Sequence, residues 1–283
     1  MGKVFCFFFV FLFTGAMIAQ DTLTIATWNV FLRPAILTDN QKDRVVPISN
    51  AIIEYNADVV CLQEVFHVRS RKKLIQELND VYPHYLLPGR AGMKQCSGLM
   101  IFSKHRIVYD TIGYYRSGSG IDAAARKGAQ LVKIAIEGGE IVVVNTHLQA
   151  GNQPKQQRVR NKQYQQLKEI SENHRALSYW IAGDFNTSVD SSSFSLLKKS
   201  VMGEEGSELR SKEKFTSNFA DNGLFESDGL GPRRIDFIFV KAQSDWSRID
   251  QRIYRPKSNW RKRGGHYLSD HAYIESTFVR SKN

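Results

Sequence analysis

Cysteine is scarce: three residues in 283, with no CxxC pair among them. That excludes a disulfide-stapled scaffold and the usual cysteine zinc centres. Cys6 falls in a predicted leader, so Cys61 and Cys96 remain. A single disulfide between them is open in an oxidising compartment, but Cys61 lies in the apolar run VVCL and is expected to be a small buried hydrophobe. No HExxH segment occurs, which removes the common helical zinc site. Neither an internal repeat nor a Gly-, Ser- or Pro-rich linker is present, so a solenoid or a string of domains is not expected. Long apolar runs are missing too. The one candidate, residues 4–13 behind Lys3, is shorter than the roughly 20 residues a spanning helix needs, and the TGAMIA that follows it gives it the layout of a secretory leader. The expectation is a leader over residues 1–19 and one domain over residues 20–283, exported to the periplasm or the medium.

Acid is in short supply as well, with 28 Asp+Glu against 39 Lys+Arg and a formal charge of +11. Such an excess favours an anionic partner, either nucleic acid or a phosphate-bearing membrane surface, without choosing between them. Basic residues gather in residues 155–168 and again in residues 252–263.

What the chain does have is alternation of short β-rich runs with helical patterns. Residues 23–28, 58–62, 99–102, 130–136, 141–145, 179–182, 236–240 and 272–278 are rich in Val, Ile, Phe and Tyr and are predicted strands. Residues 43–55, 71–78 and 154–171 show helical spacing, the last opening on Pro154. This predicts an α/β domain. Residues 202–232 are polar and glycine-containing and are expected to be a surface excursion.

Polar residues able to do chemistry stand at the ends of these strands: Asn29, Glu64, His147, Asp184 with Asn186, Asp236, and Asp270 with His271. Singly, each reads as turn chemistry or an ordinary surface group. As an ordered set they suit one cleft. Glu64, Asp184 and Asp270, with the Asn29 and Asn186 oxygens, offer only hard donors, which fit Mg²⁺ with Mn²⁺ as a substitute. A hard cation beside two imidazoles suits phosphoester hydrolysis. His271 is the expected base, Asp236 the group holding its other ring nitrogen, and His147 a donor to the phosphate or the leaving group.

The segments TWNV, LQEV, NTHLQA, GDFN, RIDFIF and LSDH, in that order, resemble the exonuclease-endonuclease-phosphatase superfamily. The resemblance implies two packed β-sheets flanked by helices, in a single catalytic domain over residues 20–283. It also implies Glu64 as principal metal ligand assisted by Asn29, His271 as general base, and Asn186 on the substrate phosphate. Within that superfamily YPHYLLPGR, SGLMIFSKHRI and above all DAAARKGAQLVKI are similar to the neutral sphingomyelinases, particularly the secreted bacterial ones. That implies hydrolysis of sphingomyelin to ceramide and phosphocholine, by a monomer in peripheral contact with the membrane. It makes Asp122 and Lys127 an Asp/Lys pair that binds substrate, Lys127 as an electrostatic clamp. Tyr114, Tyr115 and Trp260 are candidate aromatic faces for choline. Gln95, Cys96 and Val68 replace the ligands of an edge metal site, and residues 261–263 are basic where bacterial relatives place an apolar hairpin. A secreted divalent-metal-dependent endonuclease is the alternative, and the basic clusters favour it.

Overall fold

Strand residues in this chain sort by parity into two different cores. Leu23, Ile25, Val59, Cys61, Ile141, Val143, Trp180, Ala182, Ile238 and Val240 pack together in one buried cluster. Their immediate neighbours Ala26, Trp28, Val60 and Leu62 pack with helix residues in a second cluster, and Val142, Val144, Ile181, Phe237 and Phe239 in a third. Alternation with period two therefore carries apolar side chains on both faces, the signature of strands covered on both sides. The result is two facing sheets, each backed by helices.

The computed structural model describes residues 21–281 except residues 38, 90–94, 173–177, 206–211, 225–228, 230, 242–243 and 261–265. The predicted leader and the basic stretch 261–263 lie outside the described residues. In chain order the elements are β1 (Thr22–Leu32), α1 (Gln41–Tyr55), β2 (Val59–Val65), α2 (Val68–Leu78), β3 (His84–Leu86), β4 (Met100–Ser103) and β5 (Ile107–Tyr114). A 3-10 turn at Gly120–Ala124 leads into β6 (Gly128–Ile136), β7 (Gly139–His147), α3 (Pro154–Glu172), β8 (Tyr179–Asp184), α4 (Phe194–Val201) and β9 (Gly203–Glu204). The chain closes with β10 (Asp236–Lys241), β11 (Trp246–Tyr254), the short β12 (Lys257–Ser258) and β13 (His266–Tyr267), and β14 (Tyr273–Arg280). One six-stranded sheet has the order β11-β14-β1-β2-β4-β3, the other β5-β6-β7-β8-β10-β9. Helices α1 and α2 cover the first through Val45, Ile48, Ile52, Leu74 and Leu78, and α3 and α4 cover the second through Tyr164, Leu167 and Leu197.

Every predicted strand and helix is present. The longer elements that were not predicted are β5 and β11, whose polar faces blunt the pattern, and α4; the short β3, β9, β12 and β13 and the 3-10 turn were not predicted either. The surface excursion expected over residues 202–232 is a correction. Thr216, Ser217, Asn218 and Asn222 are buried, and Phe219 joins the core between the sheets. Polar composition misled here because these side chains are satisfied inside: Thr216 Oγ1 accepts from the Ile235 and Asp236 amides (3.0 and 3.2 Å), and Asn222 Nδ2 donates to the Ser269 carbonyl (2.7 Å). Cys61 and Cys96 are both free thiols, and Cys61 is buried as expected.

Close approach of β7 and β8 needs a glycine. A Cβ on Gly183 (φ 149°) would meet the Thr146 carbonyl oxygen at 2.0 Å, a contact no side chain tolerates. Gly183→Ala is expected to cost about 1–3 kcal/mol and to lower activity with it, because the next register pair is His147 opposite Asp184. Urea denaturation checks this, and an unchanged midpoint would contradict it.

Candidate active site

The parity that fills the core also builds the site. Continuing Leu23 and Ile25 along β1 brings Thr27 and Asn29 to the inner face. Along β2 the same step brings Gln63, along β7 Asn145 and His147, along β8 Asp184, and β10 begins with Asp236. At one end of the sandwich the inter-sheet core therefore turns polar. Gln63 Nε2 donates to Asn145 Oδ1 (2.8 Å) and Thr27 Oγ1 (3.0 Å), tying the two sheets, while Asn145 Nδ2 donates to the Leu62 and Met100 carbonyls (both 2.9 Å). This buried floor was missed at the sequence level, although the strand parity carried the signal.

Above the floor opens a cleft of about 440 Å³ lined by Glu64, His147, Asp184, Asn186, Asp270 and His271, among others. Extended geometry would turn Glu64 toward the helices. Its φ of 58° breaks the alternation at that residue, and Asn186 (φ 49°) and Phe31 (φ 51°), both in the cleft wall, share this costly left-handed backbone. Asn29 Nδ2 donates to Glu64 Oε1 (3.0 Å) and to Asp184 Oδ2 (3.1 Å), joining the two sheets. His271 Nδ1 donates to Asp236 Oδ2 (2.9 Å), which leaves Nε2 toward Asp184 Oδ2 at 3.8 Å. His147 Nε2 is 3.4 Å from the same Asp184 oxygen. Ser269 Oγ donates to the Asn29 carbonyl (2.5 Å), and the buried Arg44 donates to the carbonyls of Leu268 (2.6 Å), Val30 (3.1 Å) and Phe31. Neither Ser269 nor Arg44 was singled out from the sequence. Together they fasten the ends of chain that carry Asn29 and Asp270.

All ten residues predicted for the site fall at this end of the sandwich, and six of them line the cleft; Asn29 and Asp236 are fully buried and bonded to residues that do, while Asp122 and Lys127 stand apart from it. Lys127 is held by Asp122 Oδ2 (2.9 Å) and the Leu148 carbonyl (2.7 Å), and both residues line a neighbouring cavity with Tyr114 and Tyr115. A direct clamp of Lys127 on a phosphate is therefore not what this geometry provides. Asp122 also accepts from the Ala150 amide (2.6 Å), and Asn186 Nδ2 donates to the same Leu148 carbonyl (3.1 Å), so the pair braces the loop that forms the cleft wall. None of Tyr114, Tyr115 and Trp260 reaches the cleft: Tyr115 is bonded to Thr146 Oγ1 (2.6 Å), and Trp260 lines a third cavity. The aromatic ring in the cleft wall is Phe31, with the Arg33 guanidinium 4.2 Å from its centroid. Arg160, one of the basic residues gathered in residues 155–168, is buried and donates to the Gln149 and Gly151 carbonyls (both 2.8 Å).

Burial, reinforced by the Asp270 charge, pushes the Glu64 carboxyl up to about 7, and burial raises Asp270 as well. His147 is pushed down to about 3 by burial and by the Lys127 charge, so it is neutral at physiological pH. Burial opposes a charged His271 too, but Asp236, Asp184 and Asp270 outweigh it and hold the imidazolium well above its usual range. Crowded, buried carboxylates of this kind are an excess of negative charge made of hard oxygen donors. Asp184, Asp236 and His271 alone bring ligand atoms within 4.8 Å of one another. The residues present fit a divalent cation.

Residues 26–271 match the Endonuclease/Exonuclease/phosphatase family. The chain belongs to that family. Among its relatives is sphingomyelin phosphodiesterase 5 of Danio rerio, 33% identical over 137 residues, which are 41% of this chain and 25% of that protein. Sphingomyelinase C of Bacillus cereus is 26% identical over 274 residues, 84% of this chain and 81% of that one. In fold it is similar to a variant of the beta toxin from Staphylococcus aureus with bound magnesium ions, at a TM-score of 0.79 and 20% identity, over 93% of this chain and 100% of that one. The two-sheet, helix-flanked architecture that the resemblance implied is thus the architecture of this family member.

Proposed function

We propose that this family member is a divalent-cation-dependent phosphodiesterase that hydrolyses sphingomyelin to ceramide and phosphocholine. The observation that carries the reading is the pairing of the Asp236–His271 dyad with the buried carboxylates of Glu64, Asp184 and Asp270 in one cleft. The names of its relatives supply the substrate class, and the magnesium of the beta toxin supports Mg²⁺ as the cation. Glu64, assisted by Asn29, would hold the cation, which offsets negative charge on the phosphate and the departing alkoxide. In its neutral form, reached once the raised affinity for a proton at Nε2 is overcome, His271 takes the proton of the attacking water at Nε2, while Asp236 keeps Nδ1 protonated and stabilises the imidazolium that results. His147, neutral at working pH, donates a hydrogen bond to the phosphate or the leaving oxygen, and Asn186 binds a phosphate oxygen. Asp184 lies between both imidazoles and the Asn29 amide and keeps them aligned. Asp122 and Lys127 support substrate binding by bracing residues 148–150.

Purified protein offered sphingomyelin, phosphatidylcholine and plasmid DNA, each with Mg²⁺ or EDTA, tests this directly. Phosphocholine release from sphingomyelin, abolished by EDTA, is expected; nicked DNA without phosphocholine would replace the reading with the nuclease one.

Cation binding should also show in stability. In the folded, metal-free protein Glu64 keeps its proton up to about 7, whereas in the unfolded chain it loses it near the ordinary carboxylate value of 4.5. Its contribution to folding is therefore complete below the lower value and lost as pH rises through the upper one. A cation competes with that proton, so Mg²⁺ is expected to raise the melting temperature more at about pH 8 than at about pH 5. Equal shifts at both would argue against Glu64 as the ligand.

A further inference from the structure

Among the described residues the three most exposed large apolar side chains, Ile121, Ile36 and Val68, stand at one end of the sandwich, and Leu37 adjoins Ile36. Ile36 is 89% exposed, Val68 52% and Leu37 38%, and these three stand on the segments that follow β1 and β2. Ile121, 92% exposed, stands on the 3-10 turn that leads into β6. All these segments leave the sandwich at the cleft end: β1 and β2 run parallel and finish there, and β6, antiparallel to β7, starts beside its end, with Ala129 opposite Thr146. The cleft lies between them, walled on one side by Phe31 and Arg33 and on the other by Ala150 and Gly151, whose loop Asp122 braces.

Beside Ile36 is a groove of about 700 Å³ whose walls include Pro34, Ala35, Phe66, Lys42 and Arg69. Gln95 closes its far side and hydrogen-bonds through its backbone to Ala124 and Arg126 (2.9 and 3.1 Å), so groove and 3-10 turn form one continuous shelf. Lys42 and Arg69 are exposed, and among the described residues neither pairs with a carboxylate, although Asp43 shares the groove. Both cations act on one place, since after burial itself they are what depresses His67 in the groove wall. An apolar tip next to a cationic groove is the surface that a membrane containing anionic phospholipid complements, with acyl chains against the one and a phosphate against the other.

We infer that this shelf is the membrane-docking surface of the protein: Ile36, Leu37, Val68 and Ile121 enter the acyl boundary on both sides of the cleft, and Lys42 and Arg69 take the headgroup of an anionic phospholipid in the groove. The inference rests on the lipid reading of the cleft and adds where and how the protein meets its substrate surface. It needs no spanning helix, and none of the helices among the described residues is long and apolar enough to be one.

The test is co-sedimentation of the purified protein in EDTA, where turnover is stopped, with vesicles of phosphatidylcholine and sphingomyelin made with and without phosphatidylserine. Ile36→Ser with Ile121→Ser is expected to weaken binding to both by about a hundredfold, since each exposed side chain that enters lipid brings about tenfold. Lys42→Gln with Arg69→Gln is expected to remove most of the gain that phosphatidylserine gives, roughly fivefold per cation. All four substitutions lie on exposed positions outside the cleft, so turnover of detergent-dispersed sphingomyelin should stay at the parent level. Vesicle binding as tight as the parent's in the double isoleucine variant overturns the inference even if dispersed sphingomyelin is hydrolysed. Weakened vesicle binding in a protein that hydrolyses no sphingomyelin supports the docking surface and removes the lipase reading alone. Should the isoleucine substitutions instead turn a dimer into a monomer and leave vesicle binding intact, the shelf joins two copies of the chain and the inference falls.

Discussion

Replacing Glu64 by glutamine is expected to lower Mg²⁺-dependent turnover by on the order of 10³-fold, since cation stabilisation of transition-state charge is worth several kcal/mol and each 1.4 kcal/mol is tenfold. The same change should make the metal-free protein more stable at about pH 8. The ionised Glu64 is penalised by burial and by Asp270, and a neutral glutamine can still accept the hydrogen bond from Asn29 Nδ2. Higher stability with lost activity, together with loss of the Mg²⁺-dependent rise in melting temperature, is the combination that identifies a ligand rather than a structural carboxylate. Retained Mg²⁺-dependent turnover in Glu64→Gln would remove the assignment.

For His271→Ala the expected loss is about 10²–10⁴-fold in kcat with KM little changed, because a base acts in the transition state and not in substrate binding. A loss confined to KM would contradict the role. Asp236→Asn separates the dyad into its parts. The Asp236 charge is the leading influence that keeps the His271 imidazolium protonated against burial, so its removal should let His271 lose its proton at lower pH. The rate at optimum pH falls, since an asparagine amide can no longer accept the Nδ1 proton as a carboxylate does, yet the acid limb of the pH–rate profile should move to lower pH. An acid limb that does not move would show that His271 is not the group titrating there.

Much of this was legible in the sequence because strand ends are local features. TWNV, LQEV, NTHLQA and GDFN each place their polar residue one or two steps beyond an apolar run, and LSDH places its own just before one, at or near the ends of β1, β2, β7, β8 and β14. Parity could have added Gln63 and Asn145, which follow the same alternation as Cys61 and Val143. Other features were out of reach. Thr216 and Asn222 are buried within a stretch whose composition reads as surface, because their partners Asp236 and Ser269 are far along the chain. Arg160 belongs by sequence to a basic helix face, and only the backbone carbonyls of residues 149 and 151 make it an interior group. Charge behaved similarly. An excess of +11 signals an anionic partner, but which cations remain unpaired, and beside which apolar side chains, depends on folding.

By itself the sequence determined the α/β class, the strand-end carboxylates and imidazoles, and their hard-donor chemistry. These follow from hydrophobic periodicity and from the side chains themselves, which need no partner to be recognised. Tertiary structure decided the rest. It set Asp236 on His271 and aimed Glu64 into the cleft through a left-handed backbone, and it turned Lys127 onto Asp122 and away from the cleft. It also made Glu64 hard to ionise and His147 neutral. Those properties depend on distance, burial and neighbouring charge, which exist only once residues remote in the chain share the same few ångströms.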